Sequence, residues 1–314
     1  MYYDPSKFIK CTVPAADVKR VKGMGCLWNK CTPDCFNCRV VTRNGKITAE
    51  ETIALAEAAK QFGNGEIAFT TRMSAEIQAV PYDKIDAMCA FLAQHGLEIG
   101  GTGPKVRPIV SCKGTTCQFG LIDTYGLALK MHERFYVGYH QVKLPHKFKI
   151  AVGGCPNNCV KPDINDVGII GQRKPIAMVD ICKDCKACEK ACPVGAASVT
   201  DHVFTADSDI CNRCGRCVKH CPFTALDCVD GYKITVGGRW GKRVARGQAL
   251  DHLFTSEEEV LAAVEKIILL YRDLGTAGER FSDTIARIGF DRVQALVLSD
   301  ELLNRKAEIL EKEL

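Results

Sequence analysis

The chain has 314 residues, 42 Lys and Arg against 37 Asp and Glu, a formal charge of +5, and 19 Cys. That length supports about two domains with room for a buried core. The longest apolar runs, such as residues 267–271, are far too short to span a bilayer, and no Lys/Arg run interleaved with aromatics points to nucleic acid. The N-terminal MYYDPSKFIKC has no apolar h-region, so no secretory leader is expected. Many closely spaced Cys without a leader point to a reducing cytoplasm, with thiols on metal and not in disulfides.

Residues 1–25 are mixed, with Lys19, Arg20 and Lys22 ahead of Gly23-Met24-Gly25. Cys26, Cys31, Cys35 and Cys38 then follow as C-x4-C-x3-C-x2-C. The spacing fits no standard ligand template. Four Cys so close still suggest a metal, either a further iron–sulfur cluster or zinc; the competing reading is a Cys-rich loop with one or two buried free thiols. Arg43-Asn44-Gly45-Lys46 reads as a turn. Thr48-Ala49-Glu50-Glu51 is a capping box whose helix runs to about Phe62 and stops at Gly63-Asn64-Gly65. Residues 66–71 form a short strand. Pro81 opens a second helix with Ile85, Met88, Cys89 and Leu92 on one face, closed by Gly96. This alternation predicts an α+β layer of about 80 residues.

Residues 105–112 are a predicted strand ending in Cys, followed by a loop to Cys117 and a helix over about 118–135. His132 and His140 are expected on solvated or satisfied surfaces. The predicted strand 144–150 places Lys147 and Lys149 on one face, with Phe148 and Ile150 on the other. It runs into Gly153-Gly154-Cys155-Pro156-Asn157-Asn158-Cys159, and 166–171 is a buried strand. Cys112, Cys117, Cys155 and Cys159 therefore form two pairs, each in a Gly-containing loop at a strand end, where backbone can approach a bulky cofactor. Taken alone they read as a four-thiolate site.

One pattern then occurs twice. Cys182, Cys185, Cys188 and Cys192-Pro193, and again Cys211, Cys214, Cys217 and Cys221-Pro222, are C-x2-C-x2-C-x3-C-P. This is the run of two-cluster bacterial ferredoxins, in which the fourth Cys ligates the other cluster. The expected sets are Cys182, Cys185, Cys188 and Cys221 for one [4Fe-4S] cluster, and Cys211, Cys214, Cys217 and Cys192 for the second. Zinc would favour separated ligand pairs. Residues 232–239 read as a strand returning to the earlier sheet, which makes 176–228 an insertion. Thr255-Ser256-Glu257-Glu258-Glu259 caps a helix with Val260, Val264, Ile267, Ile268 and Tyr271 at core spacing. Helices over about 279–288 and 291–313 end in a charged run expected to be a solvated face. Three clusters at roughly −2 each would take about six charges from the formal +5 and leave a near-neutral holoprotein.

The segments TTRM (70–73), VRPIVSC (106–112), LPHKFKIAVGGCPNNC (144–159), DVGIIG (166–171) and VGGRWGK (236–242) resemble the sirohaem-dependent sulfite and nitrite reductases. Among these the chain looks most similar to catalytic C subunits of anaerobic sulfite reductases, which also carry a ferredoxin insertion. The resemblance runs from about Val21 to Lys242. It implies an α+β sulfite/nitrite reductase repeat in three parts: a ferredoxin-like half over 1–104, a sirohaem/[4Fe-4S]-binding domain over 105–175 plus 229–314, and an inserted two-cluster ferredoxin domain over 176–228. It further implies that Cys112, Cys117, Cys155 and Cys159 hold a [4Fe-4S] cluster and that Cys159 also ligates the sirohaem iron. Lys147 and Lys149 match substrate-binding lysines. Arg72 and Arg107 match arginines that meet sirohaem carboxylates or the bound anion, and Thr71 and Asn157 fall in the same cofactor-binding motifs. Three positions depart from the family's pattern. Cys112 to Cys117 is C-x4-C where C-x5-C is usual. The Cys-rich 26–38 stretch replaces an arginine-bearing element, leaving Arg39 or Arg43 as the substitute. His146 stands where Arg is usual.

The implied activity is the six-electron reduction of sulfite to sulfide by a cytoplasmic enzyme holding sirohaem and three [4Fe-4S] clusters, with 26–38 as a further metal site. Electrons would come through the ferredoxin clusters from a donor protein or subunit of ferredoxin or flavoprotein type. The alternatives are reduction of nitrite to ammonia and a non-catalytic electron-transfer subunit with a degenerate sirohaem pocket. Larger relatives carry two such repeats and this chain one, which implies a homo-oligomer or a complex with dissimilar subunits.

Overall fold

The computed structural model describes residues 10–178 and 181–313. The reading of a leaderless N-terminus rests largely on residues 1–9, which lie outside the described residues. Helix α1 (Ala15–Met24) leads into β1 (Cys26–Trp28) and β2 (Cys35–Val40). The box predicted at Thr48 is formed: its hydroxyl accepts from the Glu51 N–H while the Glu51 carboxylate accepts from the Thr48 N–H, and α2 (Ala49–Phe62) follows. Strands β3 (Ile67–Phe69) and β4 (Ala75–Pro81) and helix α3 (Ile85–Gln94) complete the first layer. The sheet order is β1-β2-β4-β3, antiparallel throughout. Phe36, Val40 and Ile77 pack against Leu55 and Ala58 of α2 and Ile85, Met88 and Leu92 of α3.

The second sheet starts later than its sequence suggests. Of the predicted strands 105–112 and 144–150, only β5 (Val110–Ser111) and β6 (Ile150–Gly153) form ladders, with one isolated bridge between Val106 and Phe148. Pro108 and Pro145 have no N–H to offer a ladder, and the Lys147 and Lys149 N–H groups donate to His146 Nδ1 and the Asp166 carboxylate. Between β5 and β6, helix α4 (Thr124–Met131) starts after the predicted position because the Asp123 carboxylate caps it, accepting from the Gly126 N–H at 3.0 Å. A π-helical turn continues it over 132–137. His132 lies in that turn, buried and stacked on Tyr136 at 5.0 Å with Nδ1 unpartnered, so it is neither solvated nor satisfied as expected; His140 is exposed.

Strand β7 (Val167–Ala177) runs parallel to β6 and then outgrows it. The segment beyond β7 carries α5 (Ala187–Ala191), the hairpin β8 (Ala197–Thr200) and β9 (Val203–Ala206), and α6 (Arg216–Lys219). The chain returns on β10 (Leu226–Val236), antiparallel to β7 from Ala177↔Leu226 to Val167↔Val236, and β11 (Gln248–Ala249) closes the order β11-β10-β7-β6-β5. Helix α7 (Glu257–Leu274), capped by Ser256, covers this sheet, and its Tyr271 ring meets Phe148 and Phe281 at 5.6 and 5.1 Å. The end of the chain is α8 (Phe281–Ile288), α9 (Phe290–Leu298), α10 (Glu301–Asn304) and α11 (Lys306–Glu311), so the single helix predicted over 291–313 is broken into three. Its charged run is tied down and not merely solvated: Lys306 pairs with Glu265 at 2.6 Å, and the Arg272 guanidinium donates to the carbonyls of Ile309, Leu310 and Lys312. No described helix is long and apolar enough to cross a membrane.

Candidate active site

Strands β5 and β6 are parallel neighbours, so the loops leaving their C-terminal ends start side by side. The Cys112 N–H donates to the Val152 carbonyl at 3.0 Å, and the Gly154 N–H donates to Cys112 Sγ at 3.1 Å. Burial pushes the Cys155 thiol up, the Asn157 N–H pulls it down, and Cys112, Cys159 and Cys117 all act on it as neighbouring charges. The three other cysteines thus lie within electrostatic range of Cys155, with Cys159 exposed and the others half-buried. The approach requires glycine at the centre. A Cβ on Gly154 would lie 2.8 Å from Gly114 Cα, and one on Gly171 of β7 would lie 2.5 Å from the Gly154 carbonyl oxygen. Asn157 is exposed on the loop between Cys155 and Cys159, and the neighbouring Asn158 Oδ1 is buried without a partner.

The opposite ends of these strands carry positive charge. Arg107 precedes β5, Lys147 and Lys149 precede β6, and all three line a cavity of about 340 Å³ together with Thr71, Arg72 and Arg39. Arg72 is fixed from below by the Asn165 side chain at 2.8 Å and the carbonyls of Pro108 and Ile150 at 2.6 and 3.1 Å. Arg107 donates to the Gly101 carbonyl. The Nε–H groups of Arg72 and Arg107 are both buried without partners. Burial, aided by neighbouring cations, pushes Lys149 down to about 8 and each of Arg72 and Arg107 down to about 10, and it lowers Lys147. Six cations, with Lys22 and Arg39 added to these four, thus line one partly buried cavity, an arrangement that favours a bound anion. Of the two candidate substitutes for the family arginine, Arg39 reaches the cavity and pairs with Glu76 at 2.9 Å, while Arg43 is drawn off by Glu51.

Two residues that sequence reasoning missed complete this end. Asp166 is fully buried, accepts from the Lys149 N–H at 2.9 Å and pairs with the Arg280 guanidinium at 3.0 and 3.1 Å. Burial pushes its carboxyl up and Arg280 opposes that. The signal in sequence was slight, an Asp placed just before a wholly apolar strand; Arg280 gave none.

In the inserted segment two small cavities each collect four thiols. Cys182, Cys185, Cys188 and Cys221 line one, and Cys211, Cys214, Cys217 and Cys192 line the other. The loops curl because Asp184, Lys186, Arg213 and Gly215 take positive φ. The Ala196 and Ala225 N–H groups donate to Cys192 and Cys221 Sγ at 3.2 Å each, the kind of bond that steadies a thiolate.

The group at 26–38, expected as a further metal site, is arranged differently from these two. Cys26 and Cys38 face each other across β1 and β2 and are joined as a disulfide, so thiols are not confined to metal-ligand duty. Cys31 is exposed in the connecting turn. Cys35 lies three residues before Cys38 on an extended strand, which aims it at the opposite face.

Residues 102–306 match the family described as nitrite and sulphite reductase 4Fe-4S domain, and residues 32–95 match the nitrite/sulfite reductase ferredoxin-like half domain. An uncharacterized protein of Methanocaldococcus jannaschii is 32% identical over 83% of this chain and 90% of its own length. The coenzyme F420-dependent sulfite reductase of the same organism is 33% identical over 77% of this chain, and the C subunit of anaerobic sulfite reductase from Salmonella typhimurium is 32% identical over 47%. The chain spans only 39% and 47% of those two proteins. The crystal structure of dissimilatory sulfite reductase I shares the fold, with a TM-score of 0.66 over 83% of this chain and 68% of that one at 21% identity. The 4Fe-4S domain match alone takes in more than half of the residues, and the chain belongs to the nitrite and sulfite reductase family of iron–sulfur oxidoreductases.

Proposed function

We propose that the chain reduces sulfite to sulfide with six electrons and seven protons, using sirohaem and [4Fe-4S] clusters. The observation that supports this reading is that one end of β5 and β6 carries four cysteines and the other a partly buried cavity lined by cations. Cys112, Cys117, Cys155 and Cys159 would hold the [4Fe-4S] cluster; the exposed Cys159 would also reach the sirohaem iron. The unpartnered donors of Arg72 and Arg107 suit carboxylates of the macrocycle or oxygens of the substrate. Bound there, the tetrapyrrole supplies electrons to the substrate sulfur. Lys147 and Lys149 hold the anion's oxygens and deliver protons as water leaves. With a pKa brought down to about 8, Lys149 gives up its proton more readily than a surface lysine. The eight cysteines of the insertion would hold two further clusters that feed this site, as their spacing and grouping support.

A second copy completes the site in this reading. Lys149 precedes β6 and Cys155 follows it, so the four extended residues of the strand, roughly 13 Å, separate the basic cavity from the thiols of the same protomer. We propose a homodimer in which the thiols of one protomer face the cations of the other, within a complex that includes an electron-donating protein.

Anaerobic purification followed by absorption spectroscopy and pyridine extraction tests the cofactors; Fe–S absorption with no tetrapyrrole band would leave a non-catalytic electron carrier. Turnover with reduced methyl viologen and either sulfite or nitrite separates the two substrates, and faster nitrite turnover would replace sulfite with nitrite as the assignment. Mixing Lys149→Ala and Cys159→Ser protomers tests the shared site. Activity returning in the mixture supports it, and two inactive parents giving an inactive mixed dimer refutes it.

A further inference from the structure

Strand β7 acts as a ruler for the three thiol sites. Gly171 lies against Gly154, beside Cys155. Two residues on, Arg173 bridges to Cys214, and its N–H donates to the Arg213 carbonyl at 2.7 Å. Four residues further, Ala177 pairs with Leu226, and the Met178 N–H donates to the carbonyl of Ala225, whose own N–H holds Cys221 Sγ. At roughly 3.3 Å per residue, the Cys214 level lies about 7 Å beyond the Cys155 level, and the Cys221 level about 13 Å beyond that. A second feature agrees. A cleft of about 600 Å³ is lined by Pro156 and Asn158 together with Cys211, Asn212 and Arg213, so the Cys211 run and the 155–159 loop border one cavity.

The outer site presents a surface of its own. Cys185 is exposed there, and Lys183, Lys186 and Phe223 border the same small cavity. Lys190 follows one turn along α5. All three lysines are exposed, and none makes an ion pair among the described residues. Ile181 and Phe223, 37% and 43% exposed, add an apolar centre.

We infer that this outer face docks an acidic one-electron carrier protein, which reduces the site of Cys182, Cys185, Cys188 and Cys221 first and the inner site only through it. The inference rests on the reading of the insertion as a two-cluster unit. In each encounter the carrier loses one electron and the outer site gains one, so six encounters support one sulfite. Opposite charge steers the encounter, and the apolar pair gives it a dry centre.

The test uses an acidic plant-type [2Fe–2S] ferredoxin as the probe, titrated calorimetrically onto the anaerobic holoprotein at low and high salt. Lys183→Glu combined with Lys186→Glu and Lys190→Glu is expected to weaken binding by about tenfold or more and to flatten its salt dependence, with the EPR signals of the reduced clusters retained. Lys60→Glu combined with Lys84→Glu, exposed on the first layer, is expected to leave Kd within about twofold. Where the triple variant fails to take up iron, Lys190→Glu alone, on α5 between Cys188 and Cys192, carries the same test. Absence of binding by the unaltered protein, equal loss in both variants, or loss confined to the first-layer variant overturns the docking assignment. Iron and sulfide contents too low for the insertion's two clusters overturn the underlying reading instead, and the same sample reports them.

Discussion

The group at 26–38 and the runs at 182–192 and 211–221 are about equally rich in cysteine, and all contain C-x2-C. Yet only the inserted runs gather their thiols. In β2 the backbone is extended, so residues three apart point to opposite faces, and Cys38 finds its partner across the ladder in Cys26. In the insertion, Asp184, Lys186, Arg213 and Gly215 adopt positive φ and wind the same spacing around a point. Spacing therefore predicts a ligand set only where the intervening backbone is free to curl.

The contrast can be broken most sharply at the thiols after β5 and β6. Cys159→Ser is expected to remove the tetrapyrrole absorption and lower sulfite turnover by about a thousandfold; retention of both would place Cys159 with the strand cysteines as a structural residue. Lys149→Ala should lower kcat/KM for sulfite by about a hundredfold while iron content stays constant, and a loss of iron would show the lysine to be structural. Cys26→Ser with Cys38→Ser should leave iron content unchanged and cost about 2 kcal/mol in denaturant unfolding. A parallel loss of iron would return that group to metal binding. A smaller effect concerns pH. Lys149 has its pKa lowered to about 8, so it is charged below that value and neutral above it. Nitrite, an anion across the range, should bind about tenfold more weakly at pH 10 than at pH 7, and a flat profile in equilibrium titration would mean that Lys149 does not contact it. The smallest effect is expected at Thr48→Ala, where losing the cap of α2 should cost about 1 kcal/mol, read from the shift in urea midpoint.

Local rules made much of this molecule legible. The capping box at Thr48, the apolar stripe of α7 and the buried β7 follow from side chains within a few residues of each other. The basic cavity was named residue by residue through motif resemblance, because Arg72, Arg107, Lys147 and Lys149 come from segments that only the folded sheet brings together. Asp166 and Arg280, 114 residues apart, form a buried pair that no local pattern announces. The predicted strands 105–112 and 144–150 failed for a local reason that was on view: Pro108 and Pro145 cannot serve a ladder.

The insertion springs from the tip of a hairpin whose two arms stay in register from Val167↔Val236 to Ala177↔Leu226. A tight turn joining those arms would close the loop without disturbing the core beneath. If the inserted thiols hold clusters that feed the site, supply and chemistry are separable parts of one scaffold. A shortened variant that still binds small anions but accepts electrons only from soluble dyes would make the redox wiring of this protein exchangeable by simple grafting.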